Sequence, residues 1–143
     1  LENGLKFCVD WQKGQKTGFF VDQRENRSLL ERYAKGRSVL NMFCYTGGFS
    51  FYAMRGGAKV VHSVDSSAKA ISLTNRNVEL NFPGDPRHEA YAEDAFKYLE
   101  KMGSNYDIRD RARRYPVHLL LLAGGKQRKF PSGRIQCCRP VRA

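Results

Sequence analysis

The spacing of apolar residues changes several times along the chain, and each change marks an element. Residues 5–11, LKFCVDW, alternate apolar with polar, and the glycine-bearing KGQKTG leads into the apolar FFVD, which predicts an opening β-hairpin. QRENRSLLERYAKG then shifts to helical spacing. It places Leu29, Leu30, Tyr33 and Ala34 on one inner stripe and closes at Gly36. SVLNMF is a short apolar run of the kind found in a buried parallel strand. After the TGG turn, FSFYAMRGG predicts a short helix ended by Gly56 and Gly57, and AKVVHSVD a second strand.

SSAKAISLTNRNVELN continues as a helix with Ser66 or Ser67 as N-cap and with Ala70, Ile71, Leu73, Thr74 and Val78 on or beside its inner face. NFPGDPRH is a loop. HEAYAEDAFKYLEKMG carries a short strand, the acid Asp94 and a helix facing inward over Phe96 and Leu99, and NYDI begins a fourth strand. Strand and helix alternate three times, which predicts an α/β fold: a Rossmann-like, doubly wound parallel sheet. The expected division is a hairpin and linker over 1–26, the α/β domain over 27–107, and an atypical remainder over 108–143. In that remainder only PVHLLLLA has a recognisable pattern, and Val117 to Leu122 could supply a strand.

Composition sharpens this division. The chain has 143 residues, 41% of them hydrophobic, which suits one buried core. Its net charge of +11 is unevenly spread: residues 1–107 hold 15 Lys+Arg against 13 Asp+Glu, and residues 108–143 hold 10 against 1. A basic excess gathered in one terminal segment is weak support for a polyanion partner. No run of eighteen apolar residues occurs and no secretory pattern opens the chain, so no membrane association and a cytoplasmic location are expected. Cys8, Cys44, Cys137 and Cys138 form no disulfide framework, and His62, His88 and His118 have no metal-ligand spacing.

Ligands of open parallel sheets bind beyond the carboxyl ends of the strands, where Phe43 to Gly48, Asp65 and Asp94 would meet. Glycines after the first strand permit close approach of a ligand, and an aspartate ending the second strand can accept hydrogen bonds from both ribose hydroxyls. Asp94 could accept from an adenine amino group. A dinucleotide also requires G-x-G-x-x-G for its pyrophosphate, whereas CYTGGFSF has only adjacent glycines. S-adenosylmethionine, a nucleoside without phosphate, fits better. For any single residue, a plain turn or helix cap remains an equal alternative.

GQKTGFFVDQRENR, VLNMFCYTGGFSFYA, GGAKVVHSVDSS and EDAF, in that order, resemble the large-subunit ribosomal RNA methyltransferases of the class I, S-adenosylmethionine-dependent type. The best-known member methylates C5 of a cytosine, and the likeness covers residues 2–107. The resemblance implies S-adenosylmethionine as cofactor and ribosomal RNA as substrate, and it leaves a homodimer open. It implies Gln23 and Arg24 over the methionine end, Phe43, Thr46, Gly47 and Gly48 around methionine and ribose, Asp65 with Ser66 at the ribose, and Asp94 with Ala95 at the adenine. The alternative for Arg24 and Arg27 is a solvated surface face, more so for Arg27 than for Arg24.

Beyond Asp107 the family's apolar strand and D-P-P-x-F loop are replaced by IRDRARRYPV. The domain is therefore expected to be its N-terminal, cofactor-binding part, truncated and followed by a basic tail consistent with an altered reading frame. No cysteine matches the nucleophile that cytosine C5 chemistry needs, so no catalytic residue is assigned. Cys44 is expected to be a small buried residue. The alternatives are a non-catalytic RNA-binding or assembly module and a nicotinamide enzyme.

Overall fold

The computed structural model describes residues 1–12, 18–105 and 118–122. A 3₁₀ turn, Val21–Gln23, leads into α1 (Arg24–Ala34). The chain then runs through β1 (Ser38–Met42), α2 (Gly48–Arg55), β2 (Val60–Asp65), α3 (Ala68–Asn81), β3 (His88–Ala92), α4 (Ala95–Asn105) and β4 (His118–Leu122). The four strands lie in the order β3-β2-β1-β4, and every pairing is parallel. The chain therefore builds outward from β1 on one side and crosses to its other side for β4. That reversal puts the switch point at β1, where open parallel sheets form a ligand crevice.

Register brings the strand ends level. Met42 lies opposite Val64 and Leu122, and Asp65 opposite Ala92. Residues on one face of the sheet, Val39 and Val61, pack with Leu30 and Ala34 of α1, Phe51 to Met54 of α2 and Val78 of α3. Those on the other face, Met42 and Val64, pack with Ala95 and Tyr98 of α4. Phe51, Tyr52, Met42 and Met54 are each fully buried, and each such side chain contributes about 1.5–3 kcal/mol through water exclusion. Because α2 is apolar almost all round, it can lie wholly inside, between α1 and the sheet.

Several sequence expectations are corrected. Residues 5–11 form no hairpin strand; apart from an isolated antiparallel bridge between Glu2 and Leu5, the segment is bound by side chains of α3 in place of a partner strand. The hairpin's turn, residues 13–17, lies outside the described residues. The inner stripe of α1 is Asn26, Arg27, Leu30 and Ala34, with Leu29 and Tyr33 exposed. An ion pair turns the helix: Arg27, only 2% exposed, donates through Nε and Nη2 to the Glu2 carboxylate, at 2.8 Å each. Arg27 is thus not on a solvated face.

Phe96 is also exposed, because Asp94 sets the start of α4 so that Ala95, Tyr98, Leu99 and Met102 face the sheet. Of NYDI, expected to begin the fourth strand, residues 106–108 lie outside the described residues. Asn105 ends α4, residues 106–117 lie outside the described residues, and His118–Leu122 takes the place beside β1. Without it, β1 would present a row of unpaired backbone groups.

Candidate functional site

The turn from β1 to α2 holds three left-handed residues. Phe43, Tyr45 and Gly47 all have positive φ, at 56°, 50° and 80°. Two of the three are not glycine, so the conformation persists only because its surroundings over-determine it. The Tyr45 amide donates to Asp65 Oδ2 at 2.9 Å, and the Thr74 hydroxyl to the Tyr45 carbonyl at 2.9 Å. Asn77 Nδ2 donates to the Thr46 carbonyl at 3.3 Å, and the Gly47 amide to the Cys44 carbonyl at 2.8 Å.

The protein's own packing also bears on the two glycines. A Cβ on Gly47 would stand 2.7 Å from Thr74 Cγ2 and 2.8 Å from Phe51 Cζ, and one on Gly48 would stand 3.3 Å from Arg27 Cδ. Protein packing excludes a side chain at Gly47 and crowds one at Gly48. Thr46 is likewise buried, so Thr46, Gly47 and Gly48 can meet a ligand only through backbone.

Asp65, half-buried at the end of β2, accepts a second hydrogen bond from the Ser67 amide to Oδ1 at 2.9 Å. Its carboxylate therefore ties the β1 turn to the start of α3, and each oxygen keeps accepting capacity outward. Ser67 is the N-cap of α3, its Oγ accepting from the Ala70 amide, and Ser66 is exposed beside it. The Asp65 carbonyl accepts from the Glu93 amide at 3.0 Å, which brings the third strand end alongside. There Asp94 is exposed, with Oδ1 accepting from the Phe96 and Lys97 amides, while Ala95 points its methyl into the core. Phe43, 42% exposed, lies on the same edge.

The Gln23–Arg24 segment reaches this edge through packing. Phe20 meets the Tyr45 ring edge-on at 5.5 Å, and the Arg27 side chain lies against Gly48 while Nη1 donates to the Phe20 carbonyl at 3.0 Å. Gln23 is bonded locally to Asp22 and Asn26. Arg24 is half exposed, with Nε 3.4 Å from Glu2. Burial raises the Glu2 carboxyl, but hydrogen bonds from Arg27 and Tyr52 and the Arg27 charge outweigh it and hold the pKa below the ordinary value.

Sequence reasoning missed Asn77 and a buried polar chain under α2. Asn41 Nδ2 donates to Ser50 Oγ, Ser50 and Ser63 share a 2.7 Å hydrogen bond, and Ser63 Oγ lies 2.8 Å from His88 Nε2. The two hydroxyls link Asn41 to His88, and in a neutral ring Nε2 accepts from Ser63 or donates to it according to the tautomer. Burial, with the nearby His62, agrees with a neutral ring by pushing the His88 pKa down to about 4. Short polar residues inside β1 and β2 were the only signal of this chain. Cys44 is buried as expected, and burial together with the Asp65 charge raises its pKa to about 12, so it is a thiol and not a nucleophile.

The donor set tests which ligand the edge suits. Residues 43–52 carry no cation and Asp65 puts a negative charge against the turn, a poor setting for pyrophosphate. Outward carboxylate oxygens, an exposed aromatic ring and a nearby guanidinium suit a nucleoside with a zwitterionic tail. The fold and site define a nucleoside-binding α/β domain of the class I methyltransferase kind.

Comparison with known proteins agrees. Residues 1–110 match the family model of S-adenosylmethionine-dependent methyltransferases. The ribosomal RNA large subunit methyltransferase I of Tolumonas auensis is 47% identical over 109 residues, 74% of this chain and 28% of that protein. A ribosomal RNA large subunit methyltransferase of Deinococcus radiodurans is 46% identical over 110 residues, 75% of this chain and 27% of its own length.

Among solved structures, a SAM-dependent methyltransferase from Agrobacterium tumefaciens superposes with TM-score 0.66 at 27% identity, over 84% of this chain and 37% of that one. P. horikoshii TYW2 in complex with MeSAdo gives 0.58 at 28% identity, over 66% and 34%. The chain belongs to the S-adenosylmethionine-dependent methyltransferase family and spans a little over a quarter of the length of these curated relatives. The family match ends at residue 110, close to Asp107, where the sequence pattern changes.

Proposed function

We propose that this chain is the cofactor-binding part of a cytoplasmic methyltransferase that acts on large-subunit ribosomal RNA. The observation that carries the reading is Asp65, which locks the β1 turn with one lone pair of Oδ2 and the α3 start with one of Oδ1 while facing the sheet's carboxyl edge. Its remaining lone pairs, with Ser66 beside them, accept from the ribose hydroxyls. Asp94 Oδ2 makes no hydrogen bond among the described residues and is the acceptor for the adenine amino group, with the Ala95 backbone beside it. Phe43 covers the apolar part of the methionine chain. Thr46, Gly47 and Gly48 border it by backbone alone.

Arg24 holds the methionine carboxylate, because its Nη donors extend past the single Nε contact with Glu2, and Gln23 lies next to it. S-adenosylmethionine, when bound, supplies an electrophilic methyl on a sulfonium, and the residues named here orient it. The RNA substrate follows from the names of the relatives and from the likeness in sequence.

Titration calorimetry tests the reading. S-adenosylmethionine should bind the wild-type chain, and Asp65→Ala should weaken it by about tenfold or more, the loss expected for charge-assisted hydrogen bonds. A folded wild-type chain that binds RNA but not the cofactor would establish the non-catalytic module instead, and binding of NAD a nicotinamide enzyme. Sedimentation in the same buffer reads whether the chain forms a homodimer.

A further inference from the structure

Helix α3 presents Thr74, Asn77 and Asn81 on one face, and the three side chains divide two tasks. Asn81 is bonded to the N-terminal segment: its Oδ1 accepts from the Lys6 amide at 2.8 Å and its Nδ2 donates to the Lys6 carbonyl at 2.8 Å. Thr74 is bonded to the β1 turn through the Tyr45 carbonyl. Asn77, fully buried between them, serves both. Its Oδ1 accepts from the Cys8 amide at 2.5 Å, and its Nδ2 donates to the Cys8 carbonyl and the Thr46 carbonyl, at 3.3 Å each.

The geometry is that of a sheet edge built from side chains. Asn77 and Asn81 stand four residues apart on the helix, about 6.0 Å along its axis, and Lys6 and Cys8 are two residues apart in the chain, about 6.6 Å if extended. Each carboxamide turns its oxygen and one N–H toward the segment, as a neighbouring strand would. The segment's backbone is satisfied in this way, and the same Asn77 amide hydrogens also fix the turn after β1.

We infer that Asn77 is a positioning residue that couples the N-terminal segment 6–8 to the turn at Thr46, so that displacing the segment loosens the cofactor-binding turn. The inference rests on the reading of that turn as the cofactor site, but the coupling itself can be read without cofactor. Residues 6–8 share one buried amide with Thr46, beside the packing of Phe7 on Phe51, whose ring borders Gly47. The amide is the polar link by which movement of one is transmitted to the other.

The experiment compares Asn77→Ala with Asn81→Ala in the full chain, with Thr74→Val as the turn-only counterpart. Amide hydrogen exchange should rise in both segment 6–8 and turn 44–48 for Asn77→Ala, and in segment 6–8 alone for Asn81→Ala. S-adenosylmethionine affinity should fall about tenfold in Asn77→Ala and Thr74→Val and stay within about twofold in Asn81→Ala, even where Asn81→Ala costs as much thermal stability. Unchanged exchange of the turn in Asn77→Ala, or affinity that simply tracks thermal stability across the variants, overturns the inference. If the alanine variant does not fold, Asn77→Ser, too short to span both segments, replaces it with the same expected results. Failure of the wild type to bind the cofactor would remove the functional reading and leave the exchange result to decide the coupling.

Discussion

The turn after β1 and the turns after β2 and β3 lie on the same edge of the sheet and each delivers the chain to a helix, but they are held differently. The later two cap themselves: Ser67 Oγ accepts from the Ala70 amide, and Asp94 Oδ1 from the Phe96 and Lys97 amides. The first has no side-chain cap at the start of α2. Its side-chain hydrogen bonds come from Asp65, Thr74 and Asn77, between 20 and 31 residues away in sequence. A self-capped turn keeps its shape wherever its helix goes. The first turn holds three left-handed residues only while β2, α3 and α1 are all in place, so it reports on the assembly of the whole domain.

This contrast sets the order of expected effects. Gly47→Ala should be the most damaging, because it combines φ near +80° with a Cβ that meets Phe51 and Thr74; a loss of about 3 kcal/mol or more is expected in urea denaturation, with cofactor binding abolished. A cost below about 1 kcal/mol would show that the turn is pliable and break the comparison.

Glu2→Gln comes next, since it leaves the Arg27 charge buried against Gly48 without its partner, at a cost of about 3 kcal/mol near neutral pH. The folded state depresses the Glu2 pKa, so the pair's contribution is complete above the ordinary carboxylate range and is lost as pH falls through the folded value. Wild type and variant should therefore converge in acid, and parallel stability curves down to the acid limit would contradict this account.

His88 gives a smaller effect in a different window. Its pKa falls from 6.5 to about 4 on folding, so the unfolded chain takes up the proton first. Stability contributed by the neutral ring is complete above 6.5 and declines as pH drops toward 4, by about 1–2 kcal/mol once solvent screening is allowed. His88→Gln should flatten the curve between those values. The smallest effect belongs to Ser67→Ala, a local cap worth about 1 kcal/mol or less, and it should leave hydrogen exchange in the β1 turn unchanged.

The two kinds of turn also differed in how far the sequence disclosed them. Asp94 and Ser67 act within three residues of their own positions, so a cap was readable from composition and spacing. At the first turn the adjacent glycines marked a bend but not its cause, because the atoms that exclude a side chain there belong to Thr74 and Phe51. Helix α1 shows the same limit: Leu29 and Tyr33 have the spacing of an inner face, but one ion pair with Glu2, 25 residues away, turns Arg27 inward and leaves both exposed. The opening hairpin failed similarly, since carboxamides on α3 stand where a second strand was expected.

The sequence alone determined the order of strands and helices, the parallel sheet that follows from their alternation, and the meeting of a glycine turn with two acids at one edge, because hydrophobic period and local capping are properties of neighbouring residues. Only the tertiary structure decided which polar groups go inside. Arg27 and Asn77 are buried because partners remote in the chain satisfy most of their hydrogen-bonding groups, and no local spacing encodes where those partners will be.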